Sequence, residues 1–205
     1  GPNINVTSKG KVIMSRDERR AAFAALQSAL ALKDGASEHE AAYIDALAKR
    51  YNGQPDTDRE PLDLAWASAM GELSVAYPDD MNAASMYAEA LMNTMPWNYW
   101  SEDGIAKKET AAVIASLEKV IDAKPDHPLA LHLYIHALEA SNSPERAEAA
   151  ADRLSDLVPG AGHLVHMPSH IFYRIGRYND AAQANIRAAA VDEAYIAACN
   201  AQGFY

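Results

Sequence analysis

Apolar residues recur every three to four positions along almost the whole chain, and no segment alternates apolar and polar residues for long. This period is that of an amphipathic helix, so the pattern predicts an all-α protein. Turn-forming runs such as Asp34-Gly35 and Asn52-Gly53-Gln54-Pro55 separate the periodic stretches. We expect an irregular segment over residues 1–14, and helices at about 15–33, 37–51, 59–77, 80–95, 109–124, 128–140, 144–158, 163–175 and 179–198.

Prolines that close amphipathic helices recur with a fixed period in the second half of the chain. Pro125 and Pro159 lie 34 residues apart, which is the length of a tetratricopeptide unit of two helices. In the frame that these prolines set, Ala147 and Ala181 take the same position, where close packing between helices favours a small side chain. The spacing therefore predicts stacked repeats of helix pairs.

One connection is longer than this period allows. Pro78 precedes Pro125 by 47 residues, which is 13 more than one unit. The excess predicts an inserted aromatic loop at 96–108, and this loop contains two of the three tryptophans. We expect the loop to pack its rings against the edge of the stack, the alternative being a flap over a binding groove.

The same histidine pair occurs in two successive units. His132 and His136 are matched 34 residues later by His166 and His170. A spacing of four places both rings of a pair on one helical face, and an offset of one unit places the two pairs on neighbouring helices. Four metal-competent side chains on one surface indicate a functional site.

Composition narrows the class of partner. The 205 residues carry a formal net charge of −10, which argues against nucleic acid or an anionic membrane. Cys199 is the one cysteine, so no intramolecular disulfide or thiolate cluster forms. No apolar run reaches the roughly 20 residues of a membrane helix. We expect a soluble protein, and both the cytoplasm and the periplasm fit.

Four segments resemble a group of bacterial tetratricopeptide-repeat proteins. They are Gly1-Pro-Asn-Ile-Asn5, Met95-Pro-Trp-Asn-Tyr-Trp100, His132-Leu-Tyr-Ile-His-Ala-Leu-Glu-Ala140 and Val158-Pro-Gly-Ala-Gly-His-Leu-Val-His-Met-Pro-Ser-His-Ile171, in which the His-Met-Pro-Ser-His run is specific. The resemblance spans essentially the whole chain and implies a single right-handed solenoid of antiparallel helix pairs over residues 1–205. Members of the group are longer, so it also implies an internal fragment. The two ends of such a fragment would leave apolar helix faces uncovered, so we expect it to self-associate as a homodimer.

The tetratricopeptide frame also predicts which residues line a concave groove, because positions 2, 5, 9, 12 and 13 of each first helix face it. Glu89 falls in one row with His136 and His170, as a metal ligand, a general base or an orienting group. The residues expected to bind a ligand are Ser85, Glu89, Asn93, His132, His136, His163, His166, His170, Tyr173 and Arg174.

Two functions fit these residues, beside the possibility that the histidines are structural. The first is a groove that binds a protein, a peptide or a small acidic ligand, with histidines, Arg174 and Asn93 hydrogen-bonding a carboxylate. The alternative is a site for zinc, copper, nickel or iron, or a metal-dependent enzyme. Its expected ligands are His132, His136, His166, His170 and Glu89. The glutamate that follows the first histidine in zinc proteases is missing, so no motif supports hydrolysis.

Pro168 lies inside the second histidine pair. If the helix begins near His163, this proline removes a backbone donor, kinks the helix and exposes the Leu164 carbonyl beside the histidines. If the helix begins at Met167, His163 and His166 lie on a loop. The repeat frame favours the kinked helix.

Overall fold

The structure, a computed structural model, describes residues 14–54 and 56–199. Almost all of the predicted irregular segment 1–14 lies outside the described residues. Within them the chain forms helices joined by turns, with an isolated bridge between Trp100 and Ala106 and no strand. The all-α prediction is therefore confirmed.

The helices follow the predicted order. They are α1 (Arg16–Leu32), α2 (Glu38–Leu47), α3 (Glu60–Ala76), α4 (Met81–Thr94), α5 (Lys108–Ala123), α6 (Pro128–Leu138), α7 (Glu148–Leu157), α8 (Gly162–His166), α9 (Pro168–Arg174) and α10 (Tyr178–Cys199). Single 3₁₀ turns at Lys33–Gly35 and Pro144–Ala147 follow α1 and precede α7. No helix in the described part of the chain is long and apolar enough to span a lipid bilayer.

The described residues divide into two compact units. The first comprises the chain up to Tyr99 together with Lys107–Ser116, and the second comprises Trp100–Ala106 and the chain from Leu117. Helix α5 contributes to both. The predicted single domain over residues 1–205 stays a prediction.

The first unit is built on the pairing of α3 with α4. Trp66 and Met70 of α3 are almost fully buried, and small residues of α4, Ala83 and Ala90, pack in the same core. Small side chains allow the two helix backbones to approach closely, and the large tryptophan ring fills space between them. Asp80 caps the start of α4 by accepting hydrogen bonds from the backbone N–H groups of Asn82 and Ala83.

The second unit carries most of the histidines on α6, α8 and α9. Its largest fully buried side chains include Leu131, Ile135 and Leu138 of α6, with Leu154 of α7 and Ile171 of α9. The three α6 residues recur every three to four positions and form one apolar face, so the opposite face of α6 remains available for polar side chains. The apolar face therefore fixes the direction in which the α6 histidines project.

The segment predicted as an insertion connects α4 to α5. Within the second unit, the Trp100 indole N–H donates to the Ala137 carbonyl at 2.7 Å, which fastens this ring to the end of α6. Trp97 is 55% exposed and has a φ of 60°. A positive φ is uncommon for a large side chain.

The helix that contains Pro168 is kinked, as the repeat frame required. Helix α8 ends at His166, α9 begins at Pro168, and Met167 between them keeps a right-handed helical conformation. The proline has no N–H to donate to the Leu164 carbonyl, so the helical hydrogen-bond ladder is interrupted at this point. His163 and His166 consequently lie on one short helix and His170 on the next.

Candidate metal centre

Helix α6 presents His132 and His136 from one face. His127 caps this helix through Nδ1, which accepts a hydrogen bond from the Ala130 N–H at 3.2 Å, and Pro128 occupies the first turn. The spacing of four residues brings the centroids of the His132 and His136 rings to 4.9 Å. Both side chains are partly buried, so they are held in place yet remain open to a small ligand.

Helix α8 brings a third ring to this pair. His163 Nε2 lies 3.1 Å from His132 Nε2, and one ligand nitrogen each from His132, His136 and His163 lie within 4.8 Å of one another. Neighbouring Gly162 allows a close approach of α10, because a Cβ built there would lie 1.7 Å from Asp192 Oδ1. We call His132, His136 and His163 the three-histidine set.

His166 and His170 form a second contact, on α8 and α9. Their Nε2 atoms lie 2.9 Å apart, and the Nδ1 atom of His166 lies 2.7 Å from Asn185 Oδ1 on α10. Ser169 Oγ is 3.4 Å from the same Nδ1 atom. We call His166 and His170 the second histidine pair.

One carboxylate connects the two groups of rings. Glu139 Oε1 lies 3.0 Å from His136 Nδ1, and Oε2 contacts His170 Nδ1. Burial alone would raise the pKa of this carboxyl, but the hydrogen bonds from His136 and His170 outweigh it and lower the pKa to about 2. Glu139 is therefore ionised throughout the neutral range.

Burial also changes the protonation of the three-histidine set. Desolvation, with repulsion from neighbouring histidines, lowers the pKa of His132 from 6.5 to about 3. The same causes lower the pKa of His163, opposed by attraction to Asp192. Both rings are thus neutral near pH 7, which is the form that binds metal ions.

Three of the predicted ligand-binding residues lie on α4, in the first unit. Ser85 is fully buried and donates its hydroxyl to the Met81 carbonyl at 2.8 Å. Glu89 is partly buried, and its charge raises the pKa of Arg50 within the same unit against the larger lowering effect of burial. Asn93 Nδ2 is buried and has no hydrogen-bond acceptor among the described residues.

The remaining two predicted residues border a cavity beside the second histidine pair. Tyr173 is 66% exposed, and the centroid of its ring lies 5.6 Å from that of the Tyr178 ring. Arg174 donates to the carbonyls of Glu139 at 2.7 Å and Ser141 at 3.0 Å, so its guanidinium caps the end of α6. The cavity holds about 560 Å³ and is lined by Glu139, Ser169, His170, Tyr173, Arg174, Tyr178, Ala181, Ala182 and Asn185.

The first unit has a groove that is larger than this cavity but has a different lining. It holds about 730 Å³, is lined mainly by apolar and small residues of α3 and α4, and contains no histidine among its lining residues. Leu64 and Val75 are exposed there. The polar cluster of the second unit is therefore the better candidate for a specific site.

Sequence reasoning missed Glu139 and Asn185. Glu139 follows His136 by three residues, which is a neighbouring position on a helix, and it occupies groove position 12 of the repeat frame. Both signals were available in the sequence. Asn185 lies on α10 and meets His166 through the packing of α10 against α8, so no local spacing indicates it.

Comparisons with known proteins agree with the helical-repeat architecture. No protein-family model matches the chain, and no curated protein matches it. Among solved structures, the chain is similar to one titled "MamA RS-1 ArsTM double mutant", with 16% sequence identity and a TM-score of 0.52. The match covers 87% of this chain and 97% of that chain. The fold is thus an all-α helical repeat of the solenoid class.

Proposed function

We propose that this chain is a helical-repeat binding protein whose second unit holds a divalent transition-metal ion through His132, His136 and His163. The observation that carries the proposal is the convergence of three ligand nitrogens within 4.8 Å. Imidazole nitrogens suit zinc, copper, nickel and ferrous iron. Three protein ligands leave a fourth tetrahedral position for water or for a ligand side chain from a partner.

The groups around the three-histidine set support a metal rather than a purely structural cluster. A histidine that binds a metal through one nitrogen usually donates its other N–H to a carboxylate or carbonyl. His136 has this arrangement, since Glu139 Oε1 contacts its Nδ1 atom. The carboxylate favours the tautomer with its proton on Nδ1, in which Nε2 carries the lone pair that a metal ion would bind.

Metal uptake by chelator-treated protein tests the proposal. We expect tight binding of Zn²⁺, measured by calorimetry with a competing chelator, and an affinity at least tenfold lower in His132→Ala and His163→Ala. His39→Ala is the matched control, because His39 belongs to the first unit and bonds Asp80 there at 2.8 Å. Unchanged Zn²⁺ affinity in both cluster variants, with native circular dichroism spectra, would reject the site.

A second candidate function is binding of a protein or peptide at the cavity beside the second histidine pair. Tyr173 and Tyr178 are 66% and 64% exposed and pack edge to face. Exposed tyrosines around a cavity resemble the residues that dominate binding energy in protein interfaces. The helical-repeat fold, which commonly presents extended binding surfaces, supports the same candidate.

Binding to an array of acidic peptides tests this second candidate. Tyr173→Ala and Tyr178→Ala should each weaken the best peptide at least tenfold. Ile186→Ala is the control, since Ile186 is exposed on α10 and does not line the cavity. Equal losses in the control and the tyrosine variants would contradict a specific peptide site.

A further inference from the structure

The second histidine pair has both of its outer nitrogens engaged. His166 Nδ1 lies 2.7 Å from Asn185 Oδ1, and His170 Nδ1 contacts Glu139 Oε2. The inner nitrogens, both Nε2, face each other at 2.9 Å. The hydrogen-bond partners of the two outer nitrogens determine which nitrogen of each ring carries the proton.

Asn185 fixes the tautomer of His166. Its amide N–H donates to the Ala181 carbonyl at 2.9 Å, so the atom turned toward His166 is the carbonyl oxygen, which only accepts. His166 must therefore carry its proton on Nδ1. The Ser169 hydroxyl, 3.4 Å from that nitrogen, accepts as readily as it donates.

Glu139 fixes the tautomer of His170 in the same way. An ionised carboxylate only accepts, so His170 donates from Nδ1. A neutral imidazole has one N–H. In the neutral form of both rings the two Nε2 atoms therefore carry no proton, and their lone pairs meet at 2.9 Å. Such a contact is repulsive unless a proton or a metal cation lies between the two nitrogens.

We propose that His166 and His170 chelate a second divalent transition-metal ion, so that the histidine cluster is a two-ion centre. Two nitrogens at 2.0–2.1 Å from a tetrahedral ion are about 3.3 Å apart, close to the observed Nε2 separation. The pair therefore needs little movement to become a chelate. Water or a partner's side chain completes the coordination.

Two ions distribute the available ligands better than one does. A tetrahedral ion accepts four ligands, whereas the cluster offers five imidazoles. Glu139 contacts His136 of the three-histidine set through one oxygen and His170 of the second pair through the other. Its negative charge thus reduces the repulsion between two nearby cations.

Nitrogen NMR of the metal-free protein tests the tautomers directly. We expect His166 and His170 both to be Nδ1–H tautomers at pH 8, assigned with His166→Ala and His170→Ala. Asn185→Ala should release His166 to the other tautomer. An Nε2–H proton on either ring of the parent protein would make the contact an ordinary hydrogen bond and overturn the proposal.

Metal stoichiometry provides the second test, and it rests on the proposed metal-binding function. Chelator-treated protein should bind two equivalents of Zn²⁺, His166→Ala one equivalent and His39→Ala two. Asn185→Ala should weaken the second equivalent about 10–100-fold, as expected when a residue that orients a ligand is lost. Uptake of one equivalent by the parent, unchanged in His166→Ala, would overturn the second site.

The stoichiometry also separates this inference from the proposed function. If the parent protein binds one equivalent of Zn²⁺, and this binding is lost in His163→Ala and kept in His166→Ala, the result supports the three-histidine site and rejects the second. The converse pattern supports the second pair and rejects the three-histidine site. No uptake by correctly folded protein rejects both.

Discussion

Glu139 lies one helical turn beyond His136, with its Oε1 atom 3.0 Å from the Nδ1 atom of that ring. The other oxygen of the same carboxylate contacts His170 on α9. A single side chain just past the end of α6 therefore sets the orientation of rings on two different helices. This role requires two acceptor oxygens, and the closest isostere of glutamate has only one.

Glu139→Gln should therefore weaken Zn²⁺ binding at the three-histidine set by about 10–100-fold, the usual cost of losing a group that orients a metal ligand. Glutamine has one oxygen and one NH₂ group, so it cannot accept from His136 and His170 through two separate oxygens as Glu139 does. Competition calorimetry with chelator-treated protein measures the change.

Glu118→Gln is the control for this substitution. Glu118 also lies in the second unit and bonds Tyr134 and Arg146, each through Oε1. Its replacement should leave the Zn²⁺ affinity unchanged within a factor of two or so. A comparable loss in both variants would mean that general electrostatics, and not the orientation of His136, governs affinity.

His132 should make the metal-free protein less stable as the pH falls. Its pKa of about 3 in the folded protein lies below the ordinary 6.5, so between these values the unfolded chain binds a proton that the folded protein does not. The titration of His132 therefore leaves the free energy of unfolding unchanged above about pH 6.5. From there toward pH 3 it lowers this free energy by at most about 1.4 kcal/mol per pH unit. The groups that act on His132 are His136, His163, His170 and Glu139.

Urea unfolding at pH 7.5 and pH 5.5 measures this dependence. His132→Gln should lose roughly 1 kcal/mol less than the parent protein between these pH values, since its side chain does not titrate. Leu133→Ala, on the same helix, removes no titratable group and should keep the parental difference. Equal pH dependence in His132→Gln and the parent would contradict the depressed pKa.

The two histidine pairs could be predicted from the sequence, but the contact of His163 with the first pair could not. A repeat offset identifies His132, His136, His166 and His170 because helix periodicity fixes which face a residue occupies. His163 Nε2 lies 3.1 Å from His132 Nε2, although the two residues belong to different helices. Side-chain contacts across helices follow from tertiary packing, and a periodic pattern does not specify them.

Helix order was predictable for a similar reason. Each helix buries an apolar face with a period of 3.6, and Gly or Pro marks most of the connections. The start of α7 was harder to place, because Pro144–Ala147 forms a 3₁₀ turn before the α-helix begins at Glu148. A 3₁₀ turn has i→i+3 hydrogen bonds and a tighter winding than an α-helix, and it is frequent at the ends of α-helices, so four residues of sequence do not separate the two.

Arg174 should stabilise the second unit even without a ligand. Its guanidinium donates to the carbonyls of Glu139 and Ser141, which follow α6 and lack helical partners. Arg174→Ala should lower the free energy of unfolding by about 1 kcal/mol, because water partly replaces these exposed bonds. Urea unfolding of metal-free protein measures the loss.

Arg187→Ala is the matched control for Arg174. Arg187 forms an exposed ion pair with Asp156 at 2.8 Å, and such pairs contribute little to stability. Its removal should change the free energy of unfolding by less than about 0.5 kcal/mol. If Arg174→Ala were as neutral as this control, the guanidinium would be available for ligand binding and would not act as a cap.

Gly53 should be the position in the first unit least tolerant of a methyl group. Its φ is +74°, and a Cβ there would lie 2.7–3.0 Å from three atoms of the Phe23 ring. A left-handed backbone costs a non-glycine residue roughly 1–2 kcal/mol, and overpacking against a rigid ring adds about 1–3 kcal/mol. Gly53→Ala should therefore lower the free energy of unfolding by about 2–5 kcal/mol in urea titrations.

Gly35→Ala separates these two causes from the general effect of replacing glycine. Gly35 closes the 3₁₀ turn after α1, and a Cβ there would meet no atom within 4 Å. Its substitution should be neutral or slightly stabilising, since alanine reduces the conformational entropy of the unfolded chain. A Gly53→Ala protein as stable as Gly35→Ala would contradict the left-handed turn and its contact with Phe23. A loss confined to Gly53→Ala would show that this turn fixes the connection between α2 and α3.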